Sequence, residues 1–393
     1  MATNDLTITQ ISTVLNSIVG QATGKTALAA LDGSNFATVA QTALKCGYDT
    51  LINAISQVSS DTIFSVRPYN AKFGGLRVTN QRFGNMVRKL QVGDSDWEDD
   101  DRQKLVDGSS IDMYKVKKPS VLQTNFYGQN VYQRHYTVFR DQLDVAFSNA
   151  GELAQFWSML VSNVNDQIEQ AHENLARALV ANLIASLHSG SGGSSSVIHC
   201  LTEYNDKTGL ELTAETVMQP ENYIQFMKWL NARIRSVRSL MTERTVGMFH
   251  MDVTGKEIAR HTPWARQRMY LFAPTQFELE SVALTSLFND QYIKLGYNEL
   301  VNFWQSIKDP QAINIKPVYM KNDGTITQPT DAVSIKTVLG VVYDEEALGY
   351  TVVNNWSAPT PLNARGGYYN IFYHFTDRYW MDNTENAILL LLD

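Results

Sequence analysis

The sequence is poor in cysteine and has no recognisable set of metal ligands. Cys46 and Cys200 are its only cysteines among 393 residues. Two isolated thiols provide neither a disulfide framework nor a paired-cysteine metal motif, so we predict no structural metal and no cofactor. The same scarcity is typical of a reducing compartment, which predicts a chain that is made and assembled in a cytoplasm.

Long apolar runs are also missing. No segment approaches the roughly 18 consecutive apolar residues that mark a membrane-spanning helix. The first residues, 1–17, lack the basic start and the continuous apolar core of a secretion signal. We therefore predict no membrane partner.

Charged residues are scarce, and basic residues are not in excess. Charged residues make up 19% of the chain, below the usual quarter or so, and the formal net charge is −7. This balance argues against a dedicated nucleic-acid-binding protein, which usually has a basic excess. A local basic group has helical spacing, and we interpret it as a solvated helix face: Arg233, Arg235, Arg238 and Arg244. A surface with few charges favours broad contact with other chains, since fewer charges must be desolvated on docking.

The sequence contains none of the catalytic or nucleotide-binding motifs GxSxG, HExxH, CxxC and GxGxxG. Residues 20–26, GQATGKT, have one residue too few before the Gly-Lys pair of a phosphate-binding loop, so we interpret them as a chance match. Glu169 and His172 form an ExxH pair like those of di-iron bundles, but no second pair is present. We therefore predict that His172 lies on a solvated helix face. The enzymatic alternative that stays open is a thiol nucleophile at Cys200 beside His199.

The most informative stretch is residues 148–187, which predict one very long amphipathic helix of about 57 Å at about 1.5 Å per residue. Polar residues such as Glu169 and Glu173 occupy one face. We predict that the opposite, apolar stripe lies on a β-sheet formed by residues 119–147 and the end of the chain. The stripe recurs at steps of three and four residues: Leu153, Trp157, Leu160, Val161, Val164, Ile168, Ala171, Leu175, Ala178 and Leu179.

Residues 70–118 form an unusual excursion that is basic at first and acidic later. The acidic run at 94–101, DSDWEDDD, resembles the start of a calcium loop but lacks the glycine at the sixth loop position. Two interpretations stay open: a mobile, solvated hairpin, or an arm that contacts neighbouring copies of the same chain. The second interpretation predicts inter-subunit contacts at Arg82, Arg88, Lys89, Trp97, Asp99, Asp100 and Asp101.

The rest of the chain alternates between helical and strand-like segments. Residues 1–35 predict an extended or loosely helical arm, and residues 36–59 predict a helix broken near Gly47. Residues 220–240 have the apolar stripe of a helix. Strand-like runs occur at 62–69, 119–147, 268–273, 312–320, 335–343, 349–353, 367–375 and 387–392. The last run is continuously apolar and must be covered, because an exposed apolar strand invites aggregation.

This order of parts resembles the major capsid proteins of tailed bacteriophages, which have the Hong Kong 97-type α+β fold. The resemblance implies an N-terminal arm, an extended β-hairpin loop, a long spine helix, and peripheral and axial domains. On this sequence the implied parts are the arm at 1–61, the extended loop with its flanking strands at 62–118, the peripheral domain at 119–196 with the spine helix at 148–187, the axial domain at 197–345, and the C-terminal return to the peripheral domain at 346–393.

The resemblance implies a structural function: self-assembly of a major capsid protein into an icosahedral shell of pentamers and hexamers around double-stranded DNA. It also implies a virion location, no sequence-specific DNA binding, and portal and head-decoration proteins as partners. The segment before the first predicted strand is short and leaves little room for a built-in scaffolding segment. Its length therefore favours a separate scaffolding protein. The alternatives are another virion protein, such as a minor head or tail component, and a cytoplasmic enzyme with an unrecognised site.

Overall fold

The computed structural model describes residues 8–23, 39–42, 44–61, 72–78, 86–93, 98–114, 116–148, 150–191, 196–286 and 299–393. The fold is α+β, as predicted, and the predicted strand at 62–69 lies outside the described residues. The helices are α1 (Ile8–Thr23), α2 (Tyr48–Asp61), α3 (Arg140–Ala146), α4 (Ala150–Ser186), α5 (Cys200–Thr208), α6 (Pro220–Leu240) and α7 (Ala273–Ser286). The strands are β1 (Val87–Val92), β2 (Val121–Phe126), β3 (Gly128–Phe139), β4 (Val197–His199), β5 (Gln267–Phe272), β6 (Glu299–Val301), β7 (Ile313–Ile315), β8 (Tyr319–Met320), β9 (Ile326–Thr327), β10 (Val333–Ile335), β11 (Val338–Asp344), β12 (Leu348–Pro359), β13 (Tyr368–Met381) and β14 (Ala387–Leu391).

The described strands pair into two larger sheets and three two-stranded ribbons. One sheet has the strand order β4-β14-β11-β5-β6, and the other has the order β12-β13-β3. The ribbons pair β1 with β2, β7 with β10, and β8 with β9.

The chain divides into two compact units, each made of three segments. Unit 1 consists of residues 1–83, 129–174 and 350–378, and unit 2 of residues 84–128, 175–349 and 379–393. The helix α4 and the strand β13 each contribute residues to both units. Residues 379–393, which the resemblance placed in one return segment with 346–378, therefore group with unit 2.

Unit 1 has an apolar core to which its first helix contributes. Residues 8–23, which the sequence predicted to be extended or loosely helical, form the regular helix α1. The physical reason is an apolar stripe that α1 buries in the same core as the stripe of α2, so that packing stabilises a helix of modest intrinsic propensity. The buried residues of these two helices are Val14, Leu15, Ile18, Val19, Leu51, Ile52, Ala54 and Ile55.

The helix α4 is a single run of 37 residues, which confirms the prediction of one very long helix. In unit 1 its first turns share a core with β3 and β13: Leu153, Ala154 and Phe156 pack with Val138, Tyr369, Ile371, Tyr373 and Phe375. Two residues of the predicted stripe confirm its position against this sheet, since Leu153 lies in the core and Ile168 packs against it. The side chains of four other stripe residues lie outside the described ones: Trp157, Leu160, Val161 and Val164. Alternating buried residues along β13 provide the apolar face of that sheet.

Two residues that the sequence assigned to the solvated face of α4 are buried. His172 is 2% exposed and Glu173 is 5% exposed. The prediction of a solvated face is wrong at His172 because its ring packs beside Tyr350 of β12, with ring centroids 5.6 Å apart, and contacts Asp377 of β13. A buried polar side chain of this kind is invisible to a pattern that counts only apolar residues.

Unit 2 covers the apolar C-terminal strand, as predicted. The strand β14 lies inside its sheet, parallel to β4 and antiparallel to β11, so neither edge is open. All five residues of β14 are buried. The predicted stripe of α6 packs into the same core through Phe226, Met227, Leu230, Ile234 and Val237.

The interpretation of the basic residues of α6 as a solvated face is wrong for Arg238. Its side chain is buried, its Nε donates to Oε1 of Gln267 at 3.0 Å, and its guanidinium lies 5.0 Å from the ring centroid of Trp264. These partners come from a later segment of the chain, so helical spacing alone gave no sign of them.

Candidate functional site: the β1–β2 hairpin

The strands β1 and β2 form an antiparallel ladder that carries a long connection at its end. The register runs from Val87 opposite Phe126 to Val92 opposite Val121. Beyond it, the N–H of Gly93 donates to the carbonyl oxygen of Ser120 at 2.7 Å. We call residues 93–120 the excursion and the ladder its root. The predicted excursion, 70–118, therefore overlaps a hairpin whose first strand begins at residue 87 and whose second strand lies beyond residue 118.

In the root, polar side chains face inward and apolar side chains face outward, the reverse of the usual arrangement. Along β1 the burial alternates, and Lys89 and Gln91 face inward while Leu90 and Val92 face outward. Leu90 and Val92 are 62% and 63% exposed, and their neighbour on β2, Val121, is 47% exposed. A folded domain normally buries such residues, and grouped exposed apolar side chains mark contact surfaces.

The excursion itself adds further exposed apolar side chains. Its six large apolar side chains in the described part are all between 44% and 80% exposed: Leu105, Val106, Ile111, Met113, Tyr114 and Val116. They are interspersed with charged and small residues and follow neither a helical nor a strand period, so no local element can bury them together. Sequence reasoning missed them, although an apolar group in a stretch without periodicity was the available signal.

The charges of the excursion pair with one another at the surface. Asp100 accepts a hydrogen bond from the backbone N–H of Arg102 at 3.0 Å and from its side-chain Nε at 2.8 Å, and this contact lowers the pKa of the Asp100 carboxyl. Lys117 lies 3.0 Å from Glu98. Exposed ion pairs contribute roughly 0–1 kcal/mol each, so they bias the local conformation of the excursion but hold it weakly.

The predicted inter-subunit residues occupy different places in this hairpin. Arg82 and Trp97 lie outside the described residues. Arg88 is exposed on the outer face of β1, and the carboxylates of Asp99, Asp100 and Asp101 are exposed in the excursion. Lys89 is on the inner face, beside carboxylates of its own chain. The contacts of these residues with a neighbouring copy stay predictions.

The enzymatic alternative at Cys200 has no support in the geometry. The thiol of Cys200 is fully buried, and burial raises its pKa to about 12, which opposes formation of the thiolate that a nucleophile requires. The neighbouring His199 contacts Asp393 through Nδ1 at 3.1 Å. Among the residues that the structure describes, no group of histidine, cysteine, aspartate and glutamate is arranged to hold a metal ion.

Comparison with known families decides the identity of the chain. The model of the family described as Phi29-like phage major capsid protein matches residues 13–391. The chain belongs to this family. The capsid protein is therefore a structural component of a phage head shell and of the virion, and shell assembly implies contacts between many copies of it. The family also decides between the predicted virion roles, in favour of the major capsid protein over a minor head or tail component.

Solved structures share the fold of this capsid protein. The capsid structure of Staphylococcus phage Andhra has 10% sequence identity, covers 82% of this chain and 84% of that chain, and gives a TM-score of 0.52. The structure of the head fiber and inner core protein gp22 of native bacteriophage P68 has 9% identity, covers 83% of this chain and 86% of that chain, and gives a TM-score of 0.53. Identities this low show the fold alone.

No curated protein matches the capsid protein. Within the described ranges, no helix is both long enough and apolar enough to cross a bilayer.

Proposed function

We propose that the capsid protein builds a closed icosahedral shell around double-stranded DNA, and that the β1–β2 hairpin of each copy lies on a neighbouring copy. The observation that carries the proposal is the exposed apolar surface of the hairpin, from Leu90 and Val92 at the root to Met113 and Val116 in the excursion. A shell protein covers such a surface through its neighbours.

The apolar residues account for most of the expected strength of this contact. Fully burying one large apolar side chain contributes about 1.5–3 kcal/mol relative to leaving it exposed. An exposed ion pair contributes roughly 0–1 kcal/mol. The predicted charged contacts at Arg82, Arg88 and Asp99–Asp101 therefore orient the hairpin on its neighbour, while the apolar side chains and Trp97 hold it there.

The proposed shell is made of pentamers and hexamers, and it works without enzymatic activity. We assign its partners as the resemblance implies them: a separate scaffolding protein, a portal protein and head-decoration proteins, with assembly in the host cytoplasm. The net charge of −7 suits this function, because a strongly attractive inner surface would hinder the packing of DNA. We also propose that residues 1–61 are the arm, residues 119–196 the peripheral domain and residues 197–345 the axial domain of such a shell protein.

A set of substitutions in the excursion tests the proposed contact. Val106→Ser, Met113→Ser and Val116→Ser together remove exposed apolar surface without touching a core. The matched control replaces exposed apolar residues elsewhere in unit 2: Ile307→Ser, Ile326→Ser and Val246→Ser.

We expect the excursion variant to fold normally but to yield at least tenfold fewer closed particles, counted by electron microscopy and sedimentation. The control variant should assemble like the parent chain. Normal particle yields from a folded excursion variant would contradict the proposed contact.

A further inference from the structure

The inner face of the hairpin root carries a largely buried cation. The side chain of Lys89 is only 15% exposed, and its Nζ lies 2.9 Å from Oδ2 of Asp382 and 2.6 Å from Oε1 of Glu385. Glu346 approaches the same ammonium at 3.9 Å. An ammonium taken out of water must be paired, and here carboxylates of its own chain pair with it.

The neighbouring inward residue joins the same cluster. The Nε2 of Gln91 donates to Oε1 of Glu385 at 2.8 Å, the oxygen that also contacts Lys89. The Oε1 of Gln91 accepts from Nη2 of Arg260 at 2.8 Å. On the other strand of the root, Nζ of Lys256 donates to the carbonyl oxygen of Val121 at 2.6 Å. Both strands of the root are therefore attached to the rest of unit 2 through polar contacts.

The turn that carries the carboxylates contacting Lys89 is also held by contacts that do not involve Lys89. Asp382 and Glu385 belong to the turn between β13 and β14, residues 382–386, all of which are buried. The Oδ1 of Asp382 accepts from the backbone N–H of Thr384 at 2.9 Å and from its hydroxyl at 2.6 Å, which leaves Oδ2 for Lys89. The side-chain amide of Asn383 bonds to both backbone groups of Met320, at 3.0 Å and 2.8 Å.

We propose that Lys89 is a positioning residue: with Asp382 and Glu385 it forms a latch that fixes the direction of the hairpin root, and so of the excursion, relative to the rest of unit 2. Charge-assisted hydrogen bonds constrain angles as well as distances, whereas apolar attraction has no direction. The latch assigns Lys89 a role inside its own chain in place of the predicted contact with a neighbour.

The latch leaves the outer face of the root, with Leu90 and Val92, free for another copy. This consequence for assembly rests on the proposed contact between copies, whereas the latch itself rests only on contacts within unit 2.

Hydrogen exchange on the full-length chain before assembly tests the latch. Lys89→Met removes the charge and keeps the length of the side chain, while Arg88→Met makes the same kind of change on the outer face of the same strand. In Lys89→Met we expect the amides of 87–92 and 121–126 to exchange at least tenfold faster than in the parent chain. In Arg88→Met they should stay within twofold of the parent chain. Equal protection in the two variants would overturn the latch.

A second variant keeps the test decisive if Lys89→Met fails to fold, because that change leaves Asp382 buried without its cation, whereas Glu385 keeps Arg260, whose Nε lies 3.5 Å from its Oε1. The variant Lys89→Met, Asp382→Asn removes the buried carboxylate that has lost its cation and keeps the pair of Glu385 with Arg260. We expect it to fold and to lose protection in 87–92 and 121–126 only; protection like that of the parent chain would overturn the proposal. Because exchange is measured before assembly, failure of the contact between copies would leave this result unchanged.

Discussion

His172 Nε2 lies 3.2 Å from Oδ1 of Asp377, and the two residues are 205 positions apart in the chain. Both side chains are almost fully buried in unit 1, so the pair connects the middle of α4 to β13. The other carboxylate oxygen, Oδ2 of Asp377, accepts from the hydroxyl of Tyr132 on β3 at 2.9 Å. One carboxylate therefore links the long helix to two strands of the sheet beneath it.

Removing the histidine of this pair should destabilise the protein. We expect His172→Gln to lower the free energy of unfolding by about 3 kcal/mol, because truncating one partner leaves a buried carboxylate without its cation. Chemical denaturation of the purified chain measures the change. His188→Gln, at an exposed histidine just beyond α4, is the matched control and should change stability by less than about 0.5 kcal/mol. An equally small effect of His172→Gln would contradict the role of the pair.

The same pair predicts a dependence of stability on pH. Burial lowers the pKa of His172. Hydrogen bonds and charge interactions with Asp377 and Glu169 raise this pKa by more than burial lowers it, so that the pKa of His172 is about 9. Since this pKa lies above the ordinary value of about 6.5, the stabilisation is fully present below pH 6.5 and is lost as the pH rises towards 9.

The groups that face the His172 ring are Asp377, Glu169 and Tyr350, with Arg77 beside Glu169. We expect the free energy of unfolding to fall by up to about 3 kcal/mol between pH 6.5 and 9. Denaturation curves measured across this range give the slope of unfolding free energy against pH, and this slope should disappear in His172→Gln. A slope that persists in the variant would assign it to another group.

Neutralising the acidic run should impair assembly more than folding. Asp99→Asn, Asp100→Asn and Asp101→Asn together change exposed side chains that make only weak ion pairs within the excursion. We expect the thermal midpoint to stay within about 2 °C and the yield of closed particles to fall, as judged by electron microscopy. A control with the same change of charge elsewhere is Asp206→Asn, Glu211→Gln and Glu215→Gln. Normal particles from the first variant would remove the idea that the acidic run pairs with neighbours.

A methyl group at Gly349 should destabilise unit 2. A Cβ at this position would overlap the indole ring of Trp380, and that ring is held by a hydrogen bond from its Nε1 to the carbonyl oxygen of Glu346 at 3.3 Å. We expect Gly349→Ala to cost about 1–3 kcal/mol of unfolding free energy, measured by chemical denaturation. Gly74→Ala is the control, since a Cβ there meets nothing within 4 Å. Equal stability of the two variants would show that the ring moves aside freely.

Two leucines should separate folding from assembly. Leu389 is fully buried on β14, between β4 and β11, so Leu389→Ala should cost about 2–5 kcal/mol of unfolding free energy in denaturation experiments. Leu105 is 50% exposed in the excursion, so Leu105→Ala should change stability by less than about 0.5 kcal/mol and should lower particle yield. A large loss of stability in Leu105→Ala would contradict its exposed position.

The sequence by itself determined the elements whose own periodicity is strong. The apolar stripe of 148–187 was sufficient to predict α4 as one helix, and the continuous apolar run at 387–392 was sufficient to predict a covered strand. The order of these elements led to the correct family. Local patterns suffice here because each side chain's position along a helix or strand follows directly from its spacing.

Only the tertiary structure decided which polar residues are buried and which apolar residues are exposed. His172, Arg238 and Lys89 look like surface residues in the sequence, yet each meets partners from distant segments: Asp377, Gln267, Asp382 and Glu385. In the hairpin the reverse holds, since Leu90 and Val92 are exposed. The burial of a polar group depends on partners brought together by folding, and the exposed apolar groups of the hairpin are the ones that we propose to contact another copy of the chain.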